Sequence, residues 1–192
     1  MTKPDLIIMG NSFSGKTEVT QSLASHHGYE TIHSGNYLLE SLRSLNPHQN
    51  TFTRSEIYAH KQALVAKFGP LFMLANGARV KPLAIEGVRA PKIAQEYSRI
   101  GFIPVVLHVS LPERIYRMQQ GRIDGESKPT ISTAEELAVI CRAEDLALKQ
   151  LYKMLPCIHV ANEAMSPQET SNKILEVFAT SAFSKKPSYD TV

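Results

Sequence analysis

Leu6-Ile7-Ile8-Met9-Gly10-Asn11-Ser12-Phe13-Ser14-Gly15-Lys16-Thr17 is the stretch that decides the fold. From Gly10 to Thr17 it fits G-x-x-x-x-G-K-[ST], a loop that cradles phosphate. The apolar run Leu6–Met9 reads as a buried parallel strand. Glu18 to His26 reads as a helix, with Val19 and Leu23 four residues apart. A strand, a glycine loop and a helix in that order make one anion site. Loop N–H groups and the helix N-terminus point at a polyphosphate. Lys16 then reaches the β- and γ-phosphates, and the Thr17 hydroxyl ligates Mg²⁺.

Outward from this stretch, the chain has the size and composition of one globular domain. It has 192 residues, 43% hydrophobic and 20% charged, with a net charge of +3. That slight excess is too small for a domain built to grip a nucleic-acid polymer. Cys141 and Cys157 make neither a disulfide framework nor a zinc cluster and read as small buried residues. No signal peptide fits a chain that reaches a strand within a few residues, and no apolar run approaches about 18 residues. A cytoplasmic protein that does not enter a membrane is expected.

In chain order, Tyr29–His33 is a second short strand, followed by a turn at Ser34-Gly35-Asn36 and a helix from Tyr37. Thr53-Arg54-Ser55-Glu56 fits a capping box and opens another helix. Gly69-Pro70 interrupts it, and Leu71 to Arg79 reads as a further helix. Pro82–Gly87 is the third strand, ending on Glu86. Pro91 to Ile100 is a helix with proline near its first turn. Ile103–Val109 is the fourth strand, Pro112 to Gln120 a basic helix, and Gly121 to Thr130 a mobile loop. Ser132-Thr133-Ala134-Glu135 is a second capping box. It opens a helix to about Leu155 whose apolar stripe runs through Leu137, Ile140, Cys141, Leu148, Leu151 and Leu155. Glu144 falls on that stripe, as a salt-bridge partner of a neighbouring helix or as something else. Cys157–Ala161 is the fifth strand, and Ser166-Pro167-Gln168-Glu169 caps the last helix. Alternating strands and helices predict an α/β fold: a five-stranded parallel sheet with helices on both faces. Right-handed crossovers gather the loops after the strands on one edge, where ligands bind.

In that order the motifs resemble the nucleoside monophosphate kinase family of P-loop kinases, in the broad sense that includes adenylate kinase relatives. The resemblance implies a three-layer kinase domain over residues 1–180. It implies a helical acceptor-binding insertion over about 37–80 and an arginine-bearing lid over about 112–131. Residues 181–192 read as a loose tail. It implies ATP and Mg²⁺ as cofactors, and transfer of the γ-phosphoryl to a small phosphorylated acceptor, a nucleoside or deoxynucleoside monophosphate. Gly10, Asn11, Ser12, Phe13, Ser14, Gly15, Lys16, Thr17 and Glu18 would bind ATP, with Arg117 over the phosphates and Asn162 beside the base. Ser34, Gly35, Asn36, Arg43, Gly87 and Arg89 would hold the acceptor. Thr17, and Glu86 through water, would hold the metal. Lys16, Arg89, Arg117 and Arg122 would stabilise charge on the transferring group, with Arg114 and Arg142 near by.

The departures bear on the acceptor. The acid of the turn after the second strand is Asn36 here. The arginine usual three residues later is Leu39, with Arg43 one helical turn further on. The third strand ends on Glu86 rather than aspartate, and Arg89 follows without the usual proline. Three other readings stay open: a nucleotide-binding regulatory protein without turnover, a dephospho-coenzyme A kinase-like enzyme, and a GTPase-like switch, which the lack of Asn-Lys-x-Asp disfavours. Neither a nucleic-acid polymer nor a membrane is expected as partner.

Overall fold

The computed structural model describes residues 3–74, 80–120, 134–181 and 183. Its elements follow the chain as β1 (Leu6–Gly10), α1 (Lys16–His27), β2 (Glu30–His33), α2 (Ser34–Leu45), α3 (Arg54–Phe68), a 3-10 turn (Phe72–Leu74), β3 (Leu83–Glu86) and α4 (Pro91–Arg99). Then come β4 (Ile103–His108), α5 (Leu111–Gln120), α6 (Ala134–Met154), β5 (Ile158–Ala161) and α7 (Pro167–Thr180). The five strands form one parallel sheet in the order β2-β3-β1-β4-β5.

β1 lies at the centre and is buried on both faces, which its unbroken apolar run requires. Its side chains alternate between two cores. Ile7 and Met9 join Leu38, Phe72, Ile85, Tyr97 and Leu151 on one face. Leu6 and Ile8 join Val19, Leu23, Val105 and Ile174 on the other. α1 and α7 therefore cover one side, and α2, α4 and α6 the other. Because β3 flanks β1 on one side and β4 on the other, chain direction across the sheet reverses at the end of β1. That is where an open parallel sheet leaves a crevice.

Three expectations need correction. Ser34-Gly35-Asn36 is not a turn before the helix but the first turn of α2 itself. The reason is His33, whose ring Nδ1 accepts the Asn36 N–H at 3.1 Å and caps the helix directly at the strand end. Leu71 to Arg79 is not a continuous helix. Gly69 takes φ 77° and ends α3, and Pro70 has no N–H to continue a ladder. Only one 3-10 turn follows, because burying Phe72 and Met73 folds that segment into the core; residues 75–79 lie outside the described part. Cys157 precedes β5 rather than opening it. Burial pushes its thiol up to about 11, as expected of an inert packing residue. The capping boxes at Thr53–Glu56 and Ser166–Glu169 form with both reciprocal bonds. The one at Ser132–Glu135, and the side chains of Leu137, Ile140 and Cys141, lie outside the described part.

Candidate active site

The loop from Gly10 to Thr17 leaves the end of β1 and enters α1 at Lys16. Phe13 takes φ 61°, a left-handed conformation that costs roughly 1–2 kcal/mol for a residue with a side chain. Such alternation of backbone hand turns successive N–H groups towards one concavity. Lys16 Nζ donates to Asn11 O at 2.7 Å, so the lysine arches back over the loop. Thr17 and Glu18 occupy the first turn of α1. Two buried acceptors of the loop, Asn11 Oδ1 and Ser14 Oγ, have no hydrogen bond to any described residue. These features suit a bound polyphosphate with its cation.

The far side of the loop is braced by the end of β5. Asn162 is buried, and its Nδ2 donates to Ser14 O at 2.8 Å while its Oδ1 accepts from the Thr170 hydroxyl. The amide passes so close that a Cβ on Gly15 would lie 2.6 Å from Nδ2; with φ 84° as well, position 15 demands glycine. Arg117 lies along the same flank. Its Nη2 donates to Asn162 O at 2.6 Å, and its Nε pairs with Glu113 at 2.8 Å. Asn162, which the resemblance would set beside the base, holds the loop here. Arg114 is buried at the base of α5 and Arg142 is exposed on α6. Arg122 and the lid segment 121–131 lie outside the described residues.

α6 reaches the loop from the opposite side. Glu144 accepts the Ser12 N–H at 2.7 Å, the Ser12 hydroxyl at 2.7 Å and Arg89 Nη1 at 2.9 Å. Its neighbour Asp145 accepts from Asn11 Nδ2. The glutamate on the apolar stripe therefore meets the phosphate loop and Arg89, not a neighbouring helix. A carboxylate occupies a loop amide, and the guanidinium expected at the acceptor is engaged by it.

Glu86 ends β3 and is 2% exposed. His33, its register partner on β2, lies against it, with Nε2 3.1 Å from Oε1. Since Nδ1 accepts the Asn36 N–H, the ring proton of the neutral form sits on Nε2 and donates to Glu86. One imidazole both caps α2 and aims the buried carboxylate. Beyond Glu86, Gly87 takes φ 80°, and a Cβ there would lie 2.4 Å from Ser34 Oγ, so β3 and α2 close together without a side chain between them.

Next to this junction lies a pocket with about 270 Å³ of empty space, part of it open to solvent. Leu38, Phe72, Met73, Val88 and Ile93 make its apolar wall; Ser34, Gly87 and Lys61 of α3 complete it. Burial and the nearby Arg89 guanidinium hold the Lys61 ammonium below the usual lysine range. Of the acceptor residues expected, Ser34, Gly35, Asn36, Gly87 and Arg89 come together at this end of the sheet. Arg43 does not: it is exposed in the last turn of α2, a helix about 18 Å long that starts at Ser34. His33, Lys61, Glu144 and Asp145 are site residues that the motif pattern did not single out, although Glu144 was conspicuous as a charge on an apolar stripe.

Comparison with solved structures settles the architecture. A gluconokinase from Sinorhizobium meliloti 1021 matches with a TM-score of 0.57 at 20% identity, covering 94% of each chain. A shikimate kinase from Acinetobacter baumannii, in complex with shikimate, matches with a TM-score of 0.63 at 15% identity, over 93% of this chain and 94% of that one. The fold is that of the P-loop kinases. A shikimate kinase from Bacteroides thetaiotaomicron agrees, with a TM-score of 0.61 at 15% identity, over 91% of this chain and 98% of that one. No protein-family model and no curated protein sequence matches the chain. Among the described residues, no helix of this P-loop kinase fold is long and apolar enough to cross a membrane.

Proposed function

We propose that the chain is an ATP- and Mg²⁺-dependent phosphotransferase that moves the γ-phosphoryl of ATP to a small acceptor. The single observation that supports this most is the phosphate loop beside a buried carboxylate and a separate pocket, all at one end of the sheet. Lys16 and the loop amides would hold the β- and γ-phosphates, with Thr17 and, through water, Glu86 holding the metal. Mg²⁺, when bound, supplies positive charge against the phosphate oxygens. Phosphoryl transfer asks the protein mainly for position and charge. His33 keeps the Glu86 carboxylate in one orientation. Asn162 and Thr170 keep the loop from shifting during transfer. Arg117, on the loop's flank, adds a cation at the phosphates, and Arg122 would join it with the lid. Arg89 would turn from Glu144 to the acceptor.

A nucleoside monophosphate is the acceptor that the order of motifs suggests, with a dephospho-coenzyme A kinase-like enzyme and a non-catalytic nucleotide-binding protein as the alternatives. The pocket favours a second reading. Its lining, an apolar wall with the Ser34 hydroxyl and the Lys61 side chain, suits a compact hydroxy acid. The kinship in shape with gluconokinase and shikimate kinase points the same way. The experiment is one screen: ADP release from Mg-ATP with ribo- and deoxyribonucleoside monophosphates, dephospho-coenzyme A, gluconate and shikimate. Stimulation by any one names the class. Mg-ATP binding without stimulation by any of them supports the non-catalytic reading, and no Mg-ATP binding refutes the proposal.

A further inference from the structure

Glu144 stands between the phosphate loop and Arg89 and uses both carboxylate oxygens there. Oε2 accepts the Ser12 N–H at 2.7 Å; Oε1 accepts the Ser12 hydroxyl at 2.7 Å and Arg89 Nη1 at 2.9 Å. Asp145 beside it accepts from Asn11 Nδ2, so two carboxylates of α6 sit on a loop whose backbone suits anions. The Glu144 side chain is 12% exposed and that of Arg89 63%. A backbone amide has one proton. While that proton goes to Glu144, Ser12 has none to offer a phosphate oxygen. The guanidinium is likewise occupied at one terminal nitrogen, and a two-pronged grip on an oxyanion needs a free pair. Because Oε1 serves both neighbours, a carboxylate that swings off Ser12 carries Oε1 out from between Ser12 and Arg89.

We propose that Glu144 couples the nucleotide and acceptor sites: one carboxylate closes both, and either ligand, by displacing it, opens the other. Arg89 as a holder of the acceptor rests on the phosphotransferase reading; the link from Ser12 to Arg89 rests on the three bonds alone. The chain then has two states, latched with Glu144 on Ser12 and Arg89, and open. Both ligands bind the open one. The first to arrive bears the cost of opening, and the second binds at its full affinity. That is positive coupling without contact between the ligands. Linkage makes it reciprocal: the acceptor raises nucleotide affinity by the factor by which the nucleotide raises acceptor affinity. The factor is one plus the ratio of latched to open molecules. Its size is modest. An ion pair with so exposed an arginine contributes little, and the bonds to Ser12 replace bonds to water. A latched-to-open ratio of about four, hence a coupling of about fivefold, fits such a contact.

The test uses the full chain with ¹⁵N-labelled arginine, the Arg89 Nε–H signal being the one missing from Arg89→Lys. Saturating Mg-AMPPNP, a triphosphate that is not hydrolysed, should shift that signal in the parent. In Glu144→Gln the Arg89 signal should start near its shifted position and move little on the same addition; Glu144→Ala repeats the reading should the glutamine variant fail to fold. By calorimetry, Glu144→Gln should bind Mg-AMPPNP about fivefold more tightly than the parent. Whichever of AMP, gluconate and shikimate binds the loaded parent should bind the nucleotide-free parent about fivefold less tightly, and the two forms of Glu144→Gln alike within about twofold. Mg-AMPPNP that binds the parent but leaves the Arg89 signal in place, or a Glu144→Gln variant that keeps the full shift, overturns the coupling and leaves the phosphotransferase reading standing. Should none of the three small probes bind, the acceptor classes named above lose support and the Arg89 signal alone decides the coupling. Mg-AMPPNP binding to neither protein refutes the phosphotransferase reading and the coupling together, and binding to Glu144→Gln alone supports both.

Discussion

The phosphate loop and the pocket lie at the same end of the sheet and are built on opposite terms. Around the loop, polar side chains meet polar groups: Asn162 on Ser14 O, Asp145 on Asn11, Glu144 on Ser12 and Arg89, Lys16 on Asn11 O, while Asn11 Oδ1 and Ser14 Oγ have no bond to a described residue. In the pocket, α3 brings a lysine that no described residue answers, against an apolar wall. The loop is largely ordered by the protein's own polar contacts. The pocket is ordered mainly by apolar packing. A site of the first kind binds one shape well; a site of the second kind sets its selectivity by charge and size.

The contrast can be broken most directly at Lys16. Lys16→Ala should weaken Mg-ATP by at least about 100-fold, roughly 2.7 kcal/mol, while thermal unfolding stays within a few degrees of the parent. Calorimetry and a melt on one preparation read both.

Asn162→Ala probes the bracing. It leaves the buried Ser14 O without its partner, while the Thr170 hydroxyl keeps Ser166 O, at a cost of about 2 kcal/mol. That is a fall of roughly 5 °C in Tm for a chain of this length. A variant that melts with the parent would mean that the loop holds itself.

Glu144→Gln should act in the other direction. Removing the negative charge beside Ser12 and Arg89 should tighten Mg-ATP about fivefold, near 1 kcal/mol, with little change in Tm. Weaker nucleotide binding would instead make Glu144 a support of the loop.

The smallest effect compares the two capping boxes, one in each region. Glu56 at the start of α3 and Glu169 at the start of α7 each accept the N-cap amide and hydroxyl, which lowers both carboxyls below their ordinary value. Stability from a lowered carboxyl is present above about 4.5 and is lost as pH falls through the depressed value. Melts of Glu56→Gln and Glu169→Gln against the parent should therefore differ at neutral pH and converge in acid. Glu169→Gln should also loosen nucleotide binding, because α7 carries Thr170; Glu56→Gln should leave it alone. Equal effects on nucleotide would show the pocket wall and the loop brace to be mechanically one.

Much of this was legible in the sequence, for reasons that differ by residue. The strand, loop and helix around Lys16 are local: glycines, a lysine and an apolar run within a dozen residues specify them. β1, β3 and β4 show as short apolar runs because the sheet buries both of their faces, whereas the edge strands β2 and β5 carry exposed polar residues and show less clearly. The cap made by His33 was hidden, since an imidazole does this work only when a strand end delivers it to the helix start. Lys61 looks like any polar residue on a helix until Phe72 and Val88 come against it. Glu144 announced itself by interrupting an apolar stripe, but Ser12 and Arg89 lie far off in sequence, and only the crossing of α6 over the sheet edge joins them.

That crossing gives the loop an anion of its own. A nucleotide bound as proposed would compete with Glu144 for the Ser12 amide, and its affinity would scale with the fraction of molecules in which the amide is open. The competition weighs ligands by charge. A triphosphate brings the most and is best able to evict Glu144; a diphosphate brings less. On the phosphotransferase reading, loss of the terminal phosphoryl would tip the balance back, and a carboxylate returning to Ser12 would help the diphosphate leave.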